Sequence, residues 1–162
     1  MTFAKSFPPS IGTTTRVLIL GSLLGKVSLE RSQYYAHPSN KFWPLVSAIV
    51  DRDLTSLRYE SRLTAIGSAG IGLWDVVGVA SRVGSLDSAI RDHRANDVAR
   101  LVHDLPSLAA IGFNGGAAYK IGAKLLNETG LPLIPLPSSS AAYAAMSYAA
   151  KRNVWLTLRR HL

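Results

Sequence analysis

The chain has 162 residues, 48% hydrophobic and 17% charged; that balance supports a buried core, excludes intrinsic disorder and suits one domain over residues 1–162. Lysine and arginine number 18 against 10 aspartates and glutamates, a formal net charge of +8. Such an excess points either to a polyanionic partner, nucleic acid first, or to a merely soluble basic surface. Cysteine is absent, which excludes disulfides, thiolate zinc sites, iron–sulfur clusters and a cysteine nucleophile.

From Met1 to Gly12 the only charged side chain is Lys5 and no apolar run reaches seven residues, so no signal peptide is expected. Arg16-Val-Leu-Ile-Leu-Gly21 reads as a buried parallel strand. A long loop, Ser22 to Ser39, should follow, then a helix from about Asn40 with Phe42, Leu45, Val46 and Ile49 on one face and Pro44 in its first turn. Leu54 to Ile66 has the pattern of a second amphipathic helix. Gly72 to Val77 reads as a strand, and Leu86 to Arg91 and Asn96 to Asp104 as short helical pieces. Leu108 to Phe113 is a third strand, Ala117 to Glu128 a helix with Gly130 as its cap, and Leu133 to Leu136 a fourth strand. A Pro137 to Ser140 loop should lead into a C-terminal helix ending in Arg159 and Arg160. Thr129 to Ala150 is the longest uncharged run, but its prolines and serines break it into strand, loop and helix start rather than a membrane span.

Strands alternating with helices imply an α/β protein: a three-layer α/β/α sandwich around a central, mainly parallel four-stranded sheet. Ligands of such folds bind at the carboxyl ends of the strands, which places interest on the loops Ser22–Ser39, Val77–Arg82, Asn114–Gly116 and Pro137–Ala141. Several familiar motifs fail. Gly21 to Lys26 has three residues between its glycines and Val27 after the lysine, so it is not a P-loop. Gly70-Ile-Gly72 precedes a strand, so it is no dinucleotide fingerprint. The four histidines lack paired ligand spacing and no metal is expected. Ser138 to Ser140 lacks the glycines of a nucleophile elbow.

The segment Gln33-Tyr-Tyr-Ala-His-Pro-Ser-Asn-Lys-Phe-Trp43 concentrates chemistry in one strand-to-helix loop. Two aromatics before His-Pro suit a flat base stacked on a ring, and an amide at a helix start can hold a water by two hydrogen bonds. On residue types alone a plainer account stands beside this one: Phe42 and Trp43 as core, Asn40 as a cap and His37 as structural.

This segment resembles the first motif of the uracil-DNA glycosylase superfamily, in the branch of the mismatch-specific uracil glycosylases and the hypoxanthine (deoxyinosine) DNA glycosylases. The shared pattern is a G-x-x-x-G loop after a strand, then aromatic-Ala/Gly-His-Pro and Asn-x-Phe-Trp, matched by Gly21, Gly25, Tyr35 to Pro38 and Asn40 to Trp43. Gly72 to Val76, Arg82 to Asp87, Phe113 to Gly115 and Leu136 to Ser140 follow in the order of the hypoxanthine-type members. Two departures stand out. The asparagine of mismatch-uracil members in the glycine loop is Leu23 here, and Ala141 replaces the last proline of the second motif. With no cysteines for the iron–sulfur branches, the hypoxanthine-type branch fits best.

The resemblance implies a monofunctional glycosylase of DNA base-excision repair, without metal or cofactor, that hydrolyses the N-glycosidic bond of a flipped-out base. Its partner would be DNA carrying a deaminated or mismatched base, and it would act as a monomer in a prokaryotic cytoplasm, on the nucleoid and away from membranes. Asn40 would position the attacking water. Tyr35 would stack on the base, or only pack the loop; Asn114 would read a base edge, or only make a turn before Gly115. Asp75 would touch the base or orient a neighbour, with a structural carboxylate as the other reading, and His37 would bond the loop or a phosphate. Ser138, Ser139 and Ser140 would line the DNA, and Lys26, Lys41 and Arg82 would meet phosphate or remain solvated charges. A uracil or mismatch-thymine glycosylase, a DNA-binding module without catalysis and a small-molecule-binding α/β protein are the competing possibilities.

Overall fold

The structure, a computed structural model, describes residues 2–82 and 91–162. In chain order the elements are β1 (Thr2–Lys5), β2 (Val17–Gly21), α1 (Lys26–Arg31), α2 (Phe42–Val50), α3 (Tyr59–Ser68), β3 (Ile71–Asp75), β4 (Val77–Arg82), β5 (Arg91–Ala95), α4 (Val98–His103), β6 (Ala110–Asn114), α5 (Gly116–Leu126), β7 (Leu133–Leu136), α6 (Tyr148–Trp155) and a closing 3-10 helix (Leu156–His161). Four strands form a fully parallel sheet in the order β3-β2-β6-β7.

Strand β2 is buried along its whole length, and its alternation supplies both sides of the sheet. Val17 and Ile19 pack with Phe42, Leu45 and Ile49 of α2, Ile66 of α3 and Trp155 of α6. Leu18 and Leu20 pack with Val98 and Val102 of α4 and Ala118 and Leu126 of α5. Each such side chain, fully buried, contributes roughly 1.5–3 kcal/mol, so the three-layer sandwich follows from one alternating strand between two helical layers. Pro135 is accommodated because β7 is an edge strand. The other edge is covered where Ser10 and Leu73 exchange backbone bonds of 2.9 and 2.8 Å.

The expected strands are all present, whereas four local expectations need correction. The Ser22–Ser39 loop contains α1, held as Leu29 N–H bonds the Gly25 carbonyl and Gln33 N–H the Ser28 carbonyl, each at 3.0 Å. The second amphipathic helix begins at Tyr59, not Leu54, because the Asp53 carboxylate captures the Thr55 backbone N–H (2.9 Å) and hydroxyl (2.6 Å) and bends the chain. The final helix starts at Tyr148, where the Ser147 hydroxyl accepts from Ala150 N–H at 3.1 Å, so the loop after β7 is far longer than Pro137 to Ser140. Arg159 and Arg160 lie on the 3-10 helix.

The fourth correction is a second sheet, β1-β4-β5, antiparallel throughout. Only Val76 separates β3 from β4, so this sheet adjoins the carboxyl end of β3. Arg91, expected to end a helix, opens β5. Residues 86–90 of that expected helix, and most of the Arg82 to Asp87 motif, lie outside the described residues.

Candidate active site

Because the four central strands are parallel, Gly21, Asp75, Asn114 and Leu136 all end at one edge. The loops leaving that edge enclose a cleft of about 310 Å³, whose lining includes Tyr35, His37, Asn40, Asp75, Asn114 and Ser139. At ~30 Å³ per liquid water that is the volume of about ten waters, enough for a flat base and a nucleophile.

Gly21 allows two of these groups to approach. A Cβ there would lie 2.6 Å from Asp75 Oδ1 and 2.9 Å from the Tyr35 hydroxyl, so a carboxylate and a phenol converge over a bare Cα. Asp75 is 3% exposed, and its backbone carbonyl accepts from Asn96 Nδ2 at 2.8 Å.

The segment before Asn40 is tied down in several directions. The Ser28 hydroxyl accepts from Ala36 N–H at 3.1 Å. Tyr34 receives a bond at its carbonyl from Trp43 Nε1 (3.2 Å), gives its N–H to the Tyr59 hydroxyl (3.0 Å) and its own hydroxyl to the Pro8 carbonyl (3.2 Å). Burial, with Asp75 and the neighbouring tyrosines adding, pushes the Tyr34 hydroxyl far above its ordinary pKa. Burial likewise raises that of Tyr59. Pinned this way, the chain turns through Tyr35 at a φ of 55°, a region that bulky side chains seldom adopt. The ring of Tyr35 stacks on Phe42, centroids 3.8 Å apart and planes 17° from parallel. Phe42 therefore covers one face of that ring.

His37 stands exposed at the lip. Its Nδ1 accepts from the Ser39 backbone N–H at 3.1 Å and lies 2.7 Å from the Ser39 hydroxyl, so the neutral ring carries its hydrogen on Nε2. The His37 carbonyl takes the Asn40 N–H at 3.0 Å, closing the turn that delivers Asn40.

Asn40 does not cap α2 by the usual longer-range bond. Its Oδ1 accepts from Phe42 N–H at 2.9 Å and from the Ser139 hydroxyl at 2.8 Å. Both oxygen lone pairs are engaged, so the two hydrogen bonds expected to hold a water cannot both come from this amide; its NH₂ is the edge left for the cleft. Asn114, 7% exposed, bonds Ser139 twice: its Oδ1 accepts from Ser139 N–H and its Nδ2 donates to Ser139 Oγ, both at 2.9 Å. One N–H and one lone pair of the Asn114 amide remain.

Ser139, expected among the DNA contacts, is 1% exposed and turned inward onto the two asparagines. Its carbonyl also accepts from Lys41 N–H at 2.9 Å. Ser138 and Ser140 stay half-buried on the rim, and Ser138 packs beside Gly115, whose φ is 97°. Lys26 lines the cleft mouth, exposed and 4.0 Å from exposed Glu30, a pairing of little energetic weight. Lys41 is exposed just before α2 and outside the cleft lining. Arg82 closes β4, and its side chain lies outside what is described. Leu23 and Ala141, the two departures, both line the cleft.

Two supporting residues escaped the sequence reading. Lys151 is buried on α6, donates to the Ser140 carbonyl at 3.2 Å and sits 5.2 Å from the Tyr143 ring centroid; desolvation lowers its pKa. Its signal was available, since it stands four residues before buried Trp155 on the same helical face. Asn96, which bonds Ser6 Oγ at 2.9 Å as well as Asp75, had no such signal. Among the described residues no group of three or more His, Asp or Glu side chains is placed to hold a metal ion.

A parallel α/β/α sandwich with an amide-lined cleft at the carboxyl strand ends places the molecule among the α/β proteins that bind ligands at that edge, and comparison with known proteins gives the family. The sequence model of the uracil DNA glycosylase superfamily matches residues 8–159; the chain belongs to that superfamily. It is similar to a hypoxanthine DNA glycosylase of Methanosarcina barkeri, 44% identical over 93% of this chain and 94% of that protein. A hypoxanthine DNA glycosylase of Methanosarcina acetivorans is 38% identical over 97% and 98%. A solution NMR structure of a Methanosarcina acetivorans protein assigned to the uracil DNA glycosylases superposes with a TM-score of 0.88 at 38% identity, covering 99% of this chain and 98% of that one.

Proposed function

We propose that the chain is a monofunctional DNA glycosylase, a single-domain monomer acting on nucleoid DNA, that hydrolyses the N-glycosidic bond of a deaminated base, hypoxanthine first. The observation that carries this reading is the convergence of the Asn40 and Asn114 carboxamides on one base-sized cleft. The two hypoxanthine DNA glycosylases at 44% and 38% identity support the choice of base.

The target nucleotide must leave the helix, at a few kcal/mol that a mispaired base lowers. As the C1′–N bond breaks, its electrons leave with the base and the sugar becomes oxocarbenium-like. Water attacking that cation needs placement more than deprotonation. The Asn40 NH₂ donates to the water oxygen and holds it beside C1′. The C–O bond then forms, the water gives up a proton and the departing base takes one up. Asn114 donates its remaining N–H to the base carbonyl, where charge accumulates. Tyr35, backed by Phe42, is the stacking partner of the base, and Asp75 meets the polar edge. His37 Nε2–H, Ser138, Ser140, Lys26 and Lys41 contact the DNA backbone, and Arg82, at the end of β4, is a further candidate for a phosphate. A lyase step needs a desolvated lysine amine at the sugar. Lys26, which lines the cleft, is exposed, and buried Lys151 is not part of the cleft lining and donates to the Ser140 carbonyl; base release without strand cleavage is the expected outcome.

Uracil carries the same adjacent carbonyl and ring N–H as hypoxanthine, and the superposed Methanosarcina acetivorans protein is assigned to the uracil enzymes; uracil excision is the second reading. Duplexes bearing hypoxanthine, uracil, xanthine or thymine opposite each normal base separate the two. Fastest release of hypoxanthine supports the proposal, and fastest release of uracil transfers it to the second reading. Salt-dependent binding with no release of any base would mark a DNA-binding module.

A further inference from the structure

The hydrogen-bond directions around Ser139 are fixed by chemistry. A backbone N–H can only donate, so the Asn40 atom 2.9 Å from Phe42 N and the Asn114 atom 2.9 Å from Ser139 N must both be carbonyl oxygens. The Asn114 NH₂ can only donate, so Ser139 Oγ accepts from it, and the single hydroxyl hydrogen is directed to Asn40 Oδ1 at 2.8 Å. The chain runs one way: Asn114 N–H to Ser139 O–H to Asn40 C=O. Rotating either amide by half a turn would set donor against donor in a site where Ser139 is 1% exposed, and unsatisfied buried donors are costly.

We propose that the Ser139 side chain is a positioning residue for Asn40: its hydroxyl hydrogen takes the second lone pair of Asn40 Oδ1, so that Asn40 presents only its NH₂ to the nucleophile, while the Ser139 backbone N–H fixes Asn114 independently of that side chain. The inference rests on the glycosylase reading and deepens it. In this role the Ser139 hydroxyl touches neither DNA nor the reacting atoms; it acts through Asn40. Its alternative role, as a phosphate contact from a serine-rich loop, makes the opposite forecast for binding.

The test is single-turnover release of hypoxanthine by the full chain carrying Ser139→Ala, Asn40→Ala or both, with affinity for a non-cleavable duplex and its salt dependence measured alongside. Ser139→Ala should slow release about tenfold, the worth of one hydrogen bond, with wild-type affinity and salt slope. In the Asn40→Ala background it should add little further loss. A wild-type rate, a multiplicative double-mutant loss, or weaker affinity with a shallower salt slope would each overturn the proposal. An Asn40→Ala enzyme as fast as wild type would overturn the glycosylase site itself. Asn40→Ala inactive beside Ser139→Ala at wild-type speed would overturn only the role of Ser139.

Discussion

Gly21 leaves no room for a side chain, since a Cβ there would meet Asp75 Oδ1 at 2.6 Å and the Tyr35 hydroxyl at 2.9 Å. Gly21→Ala should therefore displace both groups, lower stability by roughly 1–3 kcal/mol and reduce base release; urea unfolding and a release assay report both. Tyr35→Ala should weaken affinity for a flipped-base analogue by roughly 1–3 kcal/mol. Unchanged affinity would leave Tyr35 as a packing partner of Phe42. The residue types of the site were legible in the sequence because Tyr, His, Asn and Lys crowd into one loop. Orientation was not. Three adjacent serines carry no mark of which one turns inward, and that Asn40 would spend its carbonyl on Phe42 and Ser139 depends on a partner 99 positions away.

At the scale of elements, strands were readable where they are wholly buried, as in Val17 to Leu20, and helices where apolar residues recur, as in α2. The second sheet was hidden because Arg91-Asp-His-Arg-Ala95 has no apolar alternation and takes its strand form from pairing with β4. Helix α1 was hidden because it is six residues long and Ser28 is its one buried residue. Helix α6 begins where Ser147 caps it and then carries Lys151 beneath the serine loop. Ser147→Ala should cost about 1 kcal/mol of stability, measurable by chemical unfolding. Full retention of stability would show that packing of Trp155 alone holds the helix start.

The whole molecule carries +8, so its DNA affinity should fall linearly with the logarithm of salt concentration. Lys26→Ala should reduce that slope by about 0.9 if the ammonium neutralises a phosphate, and an unchanged slope would return it to the solvated surface. Burial raises the pKa of Tyr34 and Tyr59 above the ordinary 10.0. The unfolded chain loses those protons first, so their stabilisation is complete below about pH 10 and is lost as the pH rises further. Unfolding free energy should fall in that alkaline range, and the fall should be shallower in Tyr34→Phe. The same parallel sheet that sets this core brings four strand ends together, and Asn40 reaches their cleft from the loop that follows the first of them. The most direct measurement is hypoxanthine release by Asn40→Ala beside its affinity for the same duplex. Release should drop by orders of magnitude while binding persists; release at the wild-type rate would contradict the account.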